Sequence, residues 1–193
     1  MELTTDRIKA LRDATGVSVM QCKKALEEAG GDLAKAEVIL RKRSAASAEK
    51  KADRALGAGA IGSYVHDGAI GAMVLLSCET DFVAKNPEFA ALAREIAMQV
   101  AATGPTYAAM SDIPEDAMQA ATAVFEKEVE GKPAEMRAKI LDGKLASYFR
   151  DQVLLEQPYI KDDAKTVRNL LNEATQKFGE RVEVSRFARF SAR

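Results

Sequence analysis

The feature that most constrains this fold is a pair of apolar segments separated by a tight-turn signal. The first segment, AIGSYV, begins at Ala60, and the second, AIGAMVLLSC, ends at Cys78. The intervening His66-Asp67-Gly68 is typical of a two-stranded hairpin, because aspartate and glycine tolerate the backbone angles of its turn. The second strand does not alternate, since residues 73–76 are all apolar. Such a strand is usually covered on both faces. Helices of this chain can cover one face, and the other face needs a partner.

The first 43 residues predict a module of three short helices. Gly16 is placed to end the first helix in a left-handed turn. Ser18 and Gln21 predict a capping box that satisfies two free amides at the start of the second helix, and Asp32 is a favourable N-cap for the third. A module this small folds alone only marginally, so we expect it to be stable but loosely attached.

The chain therefore divides into three predicted parts. Residues 1–43 form the three-helix module, residues 44–59 a linker, and residues 60–193 the core. The linker is assigned because its residues are small or charged and it ends in glycines. The basic run within residues 41–54 raises RNA binding as a possibility. It contains acids and no aromatic residues, so we interpret it as a solvated face and expect no direct contact with nucleic acid.

The core is predicted to combine the hairpin with helices. Asn86 and Pro87 mark a helix start, and a further helix is predicted from Asp162 to Phe178. The closing segment RVEVSRFARF resembles a strand whose alternation slips between Val184 and Phe187, as a β-bulge would cause. The expected fold class is α+β, with a small antiparallel sheet packed by helices.

Net charge, apolar run length and cysteine content indicate the cellular compartment and the classes of partner that we expect. The formal net charge is −1 at pH 7, which gives no global field toward nucleic acid or membrane. The acidic N-terminus does not resemble a signal peptide, and the longest apolar run, residues 69–76, is far shorter than the roughly 20 residues that span a bilayer. The two cysteines, Cys22 and Cys78, are far apart in the sequence, which fits free thiols in a reducing cytosol. We expect a cytoplasmic protein.

Enzymatic chemistry finds little support in the residues. The glycines Gly57, Gly59 and Gly62 match a dinucleotide-binding pattern, but that pattern needs a strand before it and a helix after it, and here the order is reversed. The one histidine, His66, falls in the hairpin turn, and two distant cysteines cannot complete a typical zinc site. We expect no enzyme activity, no cofactor and no metal.

The segment SCETDFVAKNPEF, residues 77–89, raises a specific question. It places a large apolar residue, Phe82, beside Asp81 where the apolar strand ends and the chain turns toward the helix at Pro87. Phe82 could fill the core of this chain, with Asp81 acting only as a helix cap. It could instead be presented to a partner. Local sequence leaves both readings open.

Four motifs, taken in order along the chain, resemble one family. They are TGVSVMQCKKAL, CETDFVAKN, LLEQPYIKD and VSRFARF. Together they are similar to bacterial translation elongation factor Ts, the guanine-nucleotide exchange factor for elongation factor Tu, over essentially the whole chain. The length resembles the short form of that family. The chain departs from the family at residues 56–59, Leu-Gly-Ala-Gly, where members usually carry an acid before the glycine.

The resemblance implies roles for two groups of residues. In the family, the turn that matches Thr80, Asp81, Phe82 and Val83 projects toward the GTPase domain of elongation factor Tu, and its phenylalanine wedges beside the magnesium and phosphate site. The expected activity is to bind elongation factor Tu with GDP and to promote GDP release by displacing magnesium.

The resemblance also assigns the N-terminal module a ubiquitin-associated-like fold. Its residues expected to touch the GTPase domain are Val19, Met20, Gln21 and Lys23. Short family members work as homodimers, which implies a second copy near the sheet. The same module fold supports an alternative, a binding module for a ubiquitin-like protein or a peptide without exchange activity.

Overall fold

The computed structural model describes residues 4–131 and 133–192 of the 193-residue chain. Helices and strands are both present, as the sequence predicted for an α+β fold. The helices are α1 (Thr5–Thr15), α2 (Val19–Glu28), α3 (Leu33–Glu49), α4 (Asp81–Ala84), α5 (Pro87–Thr103), α6 (Glu115–Val129), α7 (Ala134–Phe149) and α8 (Val167–Phe178). The strands are β1 (Ala58–His66), β2 (Ile70–Cys78), β3 (Pro158–Tyr159), β4 (Asp162–Thr166) and β5 (Glu183–Ser191).

Helices α1 to α3 enclose a small core of their own, and its buried side chains include Leu11, Cys22, Leu26 and Leu40. Gly16 ends α1 with a φ of 67°, and Asp32 caps α3 by accepting a hydrogen bond from the Lys35 amide at 3.1 Å. The end of α1 and the start of α3 are where the sequence predicted them. Helix α3 runs on to Glu49, so its last turns occupy the first part of the segment predicted as linker.

The hairpin joins a three-stranded antiparallel sheet in the order β1-β2-β5. Asp67 and Gly68 have φ angles of 48° and 68°, which is the two-residue turn with positive φ at both central positions. Between β2 and β5 the register shifts at Leu75/Leu76. The predicted bulge in the last strand is therefore confirmed.

Helix α5 covers the inner face of the sheet. Its residues Phe89, Ile96 and Val100 are buried against Val74 and Leu76 of β2 and their neighbours. The helix lies so close to β1 that a Cβ at Gly62 would stand 2.1 Å from the backbone carbonyl of Ala93. Gly62 thus permits close packing between helix and sheet.

The outer face of the sheet is open. Its side chains come from alternate positions of the three strands, as the register requires. The large exposed apolar residues on it are Ile61, Val65, Met73, Leu75 and Phe190. Helices of this chain cover the inner face of β2. The apolar run in β2 predicted that the other face is covered too, but no part of the described chain covers it.

The segment before α8 differs from the sequence prediction. A helix was expected from Asp162, but residues 162–166 form β4, which pairs with β3. Thr166 then caps α8 in a reciprocal box with Asn169, so the helix begins only at Val167. The prediction of helix over the first five residues was wrong, because strand pairing and this cap decide the boundary. Gly179 ends α8 with a φ of 76°.

The short β3–β4 hairpin is fixed to α5 by buried amides. Gln99 donates to the Gln157 side-chain oxygen and to the Pro158 carbonyl, both at 3.1 Å, and accepts from the Ile160 amide at 2.8 Å. Gln99 and Gln157 are buried, so these bonds replace lost hydration. Within residues 4–131 and 133–192, no helix combines the length and the apolarity that crossing a bilayer requires.

Candidate partner-binding site

The chain turns sharply between the end of β2 and the start of α5. Thr80 is the extended N-cap of the one-turn helix α4, and Asn86 caps α5 by accepting from the Glu88 amide at 2.9 Å. A single helical turn can bury only one side. Val83 takes that side and is 4% exposed, whereas Phe82 points outward and is 82% exposed. Phe82 is therefore not a core residue of this chain, although Val83 is.

Asp81 lies beside Phe82 on the same exposed turn. Its carboxylate is 2.6 Å from the Lys85 Nζ, one helical turn further on. The hydrogen bond and the positive charge of Lys85 lower the pKa of the Asp81 carboxyl. The turn thus presents an aromatic ring next to an ionised carboxylate.

The turn is held by Glu180, which follows the end of α8 and belongs to none of the motifs in the sequence. Its Oε2 accepts hydrogen bonds from the Glu79 and Thr80 backbone amides, each at 3.0 Å. Its Oε1 accepts from the Thr80 hydroxyl at 2.6 Å. The nearby sequence signal is Gly179, which predicts only the end of a helix. It gives no indication that the next residue binds Thr80, 100 residues earlier in the chain.

The side chains of Cys78 and Glu79, which directly precede the turn, also help to hold it. The buried Cys78 thiol donates to the Thr80 carbonyl at 3.2 Å. Burial, and then the Glu180 carboxylate, raise the pKa of this thiol, so it keeps the proton it donates. Glu79 accepts from the Arg181 amide at 2.7 Å and lies 3.2 Å from the Arg54 guanidinium. These contacts lower the pKa of the Glu79 carboxyl, the Arg181 amide foremost.

The predicted residues of the N-terminal module divide into two groups. Val19 and Met20, at the start of α2, are 52% and 67% exposed, and Lys23 is exposed beside Glu27, 3.9 Å away. Gln21 faces inward. Its side-chain oxygen accepts a hydrogen bond of 2.6 Å from Gln176 of α8.

The capping box predicted for α2 forms only in part. Ser18 accepts from the Gln21 amide at 3.4 Å. The side-chain oxygen of Gln21 goes to Gln176 instead of returning to the Ser18 backbone. A contact with a distant helix, α8, thus takes the place of the second hydrogen bond of the capping box.

Lys177 of α8 connects the neighbourhoods of the two predicted surfaces. Its Nζ lies 2.9 Å from Glu88 at the start of α5, and its Cδ lies 3.3 Å from where a Cβ on Gly16 would stand. Gly16 lies just before α2, and Glu88 lies just after the Phe82 turn. The exposed start of α2 and the turn therefore approach the same end of α8.

Other sequence candidates have structural explanations. His66 is exposed in the hairpin turn and its Nδ1 lies 3.0 Å from the Tyr64 hydroxyl. Cys22 is buried, and burial raises the pKa of its thiol. In the part of the chain that the structure describes, no group of three or more histidine, cysteine or acidic side chains is arranged to hold a metal ion.

The amino-acid sequence of the chain can also be compared with those of known proteins. A family model described as "Elongation factor TS" matches residues 47–193. A protein named elongation factor Ts from Coprothermobacter proteolyticus is 45% identical over 194 residues, covering 99% of this chain and 98% of the relative. The chain belongs to the elongation factor Ts family. Relatives of that name from Thermodesulfovibrio yellowstonii and Thermotoga petrophila are 46% and 48% identical, each over 98% of this chain and 96% of the relative.

Membership in the elongation factor Ts family gives the chain a place among the translation elongation factors of protein biosynthesis. The family match at residues 47–193 includes the Phe82 turn and Glu180 but begins after the exposed start of α2. The full-length relatives also cover that earlier part. The similarity thus extends over both predicted surfaces.

Proposed function

We propose that this chain is a guanine-nucleotide exchange factor that binds elongation factor Tu with GDP and promotes GDP release. The observation that carries the proposal is the position of Phe82, which is 82% exposed on a turn fixed to the core by Glu180. An exposed phenylalanine on a held turn is suited to enter a partner's pocket. Membership in the elongation factor Ts family supports elongation factor Tu as that partner.

The proposed mechanism uses the burial energy of Phe82 against the nucleotide. Burying a phenylalanine in a partner pocket is worth about 2–3 kcal/mol. If that pocket is open only when magnesium is displaced, binding of the exchange factor opposes binding of magnesium and GDP. Such coupling is reciprocal. Bound GDP and magnesium must therefore weaken the binding of this chain to elongation factor Tu by the same factor by which this chain weakens their binding. No covalent chemistry is required, and the reaction takes place in the cytoplasm.

The residues of the turn would share this work. Phe82 is the wedge, and Val83 anchors its helix from the buried side. Asp81 adds negative charge at the approach to the magnesium site, with Lys85 setting its orientation. Thr80 fixes the turn to the core.

The N-terminal module would supply affinity rather than the exchange step. Val19, Met20 and Lys23 form a small exposed surface at the start of α2. Gln21 serves this surface indirectly, because its side chain is bonded to α8.

We also propose that the open face of the sheet binds a second copy of this chain. Ile61, Met73 and Leu75 lie together there, and Arg186 and Ala188 of β5 line the same shallow groove. Two sheet faces of this kind can pack against each other at about 10 Å. The surface is apolar and uncovered by the described chain, so self-association would remove it from water.

The deciding experiment is release of labelled GDP from elongation factor Tu with and without this protein. We expect a large acceleration that decreases as free magnesium rises. Unchanged GDP release at saturating protein contradicts the proposal. Binding of a ubiquitin-like protein to Val19 and Met20, without any effect on GDP release, would favour the alternative of a binding module.

A further inference from the structure

The hydroxyl of Thr80 has an unusual use for a helix N-cap. A threonine at this position normally accepts a hydrogen bond from an amide of its own helix. Here the Thr80 side chain makes no such bond in α4 and instead donates to Glu180 at 2.6 Å. The turn that carries Phe82 therefore depends on a residue from the other end of the core.

Glu180 and Glu79 each accept hydrogen bonds from backbone amides of the segment that carries the other. The Glu180 carboxylate accepts from the Glu79 and Thr80 amides at 3.0 Å. The Glu79 carboxylate accepts from the Arg181 amide at 2.7 Å. Each carboxylate thus fixes the segment that carries the other, and bonds of this type are stronger than those between neutral groups.

The positions of both segments are set by the core. Gly179 ends α8 with its amide 3.1 Å from the Thr175 carbonyl, so Glu180 leaves the helix in a defined direction. On the other side, Cys78 is the last residue of β2, and its thiol holds the Thr80 carbonyl at 3.2 Å. Thr80 is therefore bonded through its amide, its hydroxyl and its carbonyl before the chain reaches Phe82.

We propose that Glu180 is a positioning residue for nucleotide exchange, which holds the turn so that Phe82 is presented in its working orientation. This inference rests on the proposed function. Glu180 acts through Thr80 and need not touch the partner. Its effect follows from preorganisation, since a turn that is already ordered loses less entropy when Phe82 enters a pocket.

Glu180→Ala and Glu180→Gln form the central test. Glu180→Ala removes all three acceptor contacts, and we expect the stimulation of GDP release to fall about tenfold, the factor typical of losing hydrogen bonds to a charged group. Glu180→Gln should keep most of the stimulation, because its oxygen can accept from the two amides while its nitrogen donates to the Thr80 hydroxyl. Glu128→Ala, a surface carboxylate paired with Lys144, is the control and should retain wild-type exchange.

A double-mutant cycle separates positioning from general stability. If Glu180 acts through Phe82, then Glu180→Ala should add little in a Phe82→Ala background. Full additivity, or wild-type exchange by Glu180→Ala, overturns the proposal. If Glu180→Ala does not fold, Thr80→Val removes the hydroxyl contact with little change in shape and should also lower exchange. A Thr80→Val protein with wild-type exchange again overturns it.

A readout without elongation factor Tu distinguishes failure of this inference from failure of the proposed function. The chain has no tryptophan and four tyrosines, so Phe82→Trp places the only tryptophan on the turn, and it can be excited selectively at wavelengths where tyrosine does not absorb. Time-resolved anisotropy should show greater local motion of Trp in Phe82→Trp when Glu180→Ala is added, and little change when Glu180→Gln is added. Equal motion in all three proteins overturns the positioning role even if exchange activity is present.

Discussion

The side-chain amide of Gln176 donates a 2.6 Å hydrogen bond to the side-chain oxygen of Gln21. The oxygen of the same Gln176 accepts from the hydroxyl of Ser44, a residue buried near the middle of α3. One glutamine of α8 therefore binds both α2 and α3. The exposed surface at Val19 and Met20 is thereby oriented relative to the core that carries Phe82.

Replacing Gln176 should loosen the N-terminal module. Gln176→Ala removes both bonds, and we expect a loss of about 1–3 kcal/mol in the free energy of unfolding, since each such bond contributes about 0.5–1.5 kcal/mol. Trypsin should cut faster after Lys50, Lys51 or Arg54, because a detached module frees this segment. The matched control is Gln119→Ala, which removes a contact to Glu115 within α6. Equal cleavage rates in both variants would contradict this prediction.

Phe82 and Phe89 should respond oppositely to truncation. Phe82→Ala should change the free energy of unfolding by no more than about 0.5 kcal/mol, as for other surface substitutions, while its stimulation of GDP release falls. Phe89 is fully buried and packs edge-on against Phe178, with ring centroids 5.5 Å apart. Phe89→Ala should therefore cost about 3–5 kcal/mol of stability. Thermal unfolding and GDP release, measured on both proteins, provide the check. A Phe82→Ala protein with full exchange activity rules out the wedge.

Acid should weaken the fold through Glu79. Its pKa is held below the ordinary value of 4.5 by the Arg181 amide and by Arg54. A carboxyl with a lowered folded-state pKa stabilises the fold above its unfolded pKa, and this contribution is lost as pH falls through the folded value. The free energy of unfolding should thus decline in acid below about pH 4.5, and Glu79→Gln should flatten that decline. Denaturant unfolding between pH 3 and pH 7 measures it. An identical pH profile for both proteins would show that Glu79 does not contribute.

A charge on the open sheet face should produce a monomer. Met73 is half exposed among apolar neighbours on that face, and Met73→Asp would place a carboxylate inside the proposed dimer interface, where desolvation opposes it. Sedimentation should show a dimer for the wild-type chain and a monomer for the variant. Val38→Asp, which adds the same charge at another half-exposed apolar position, should remain dimeric. A monomeric wild-type chain at micromolar concentration, still active in exchange, would exclude the interface.

Many element boundaries could be read from the sequence because their causes are local. Gly16 and Gly179 end helices with positive φ angles, and Asn86 with Pro87 starts α5. Asp67 and Gly68 form the turn between β1 and β2. Each of these residues satisfies a backbone requirement within a few positions of itself. The start of α8 was misjudged, since pairing between β3 and β4 competes there with a helical pattern.

The tertiary structure decided what the sequence left open. Local sequence permitted Phe82 to face either the core or solvent, and the direction of a one-turn helix between β2 and α5 determined that Val83 is buried and Phe82 exposed. Glu180 and Gln176 act across separations of 100 and 155 residues. Glutamate and glutamine are common on helix surfaces, so their type reveals no partner. Which backbone amide or side chain they meet depends on where α8 lies against the sheet and the N-terminal helices, and only the packing of the whole chain fixes that position.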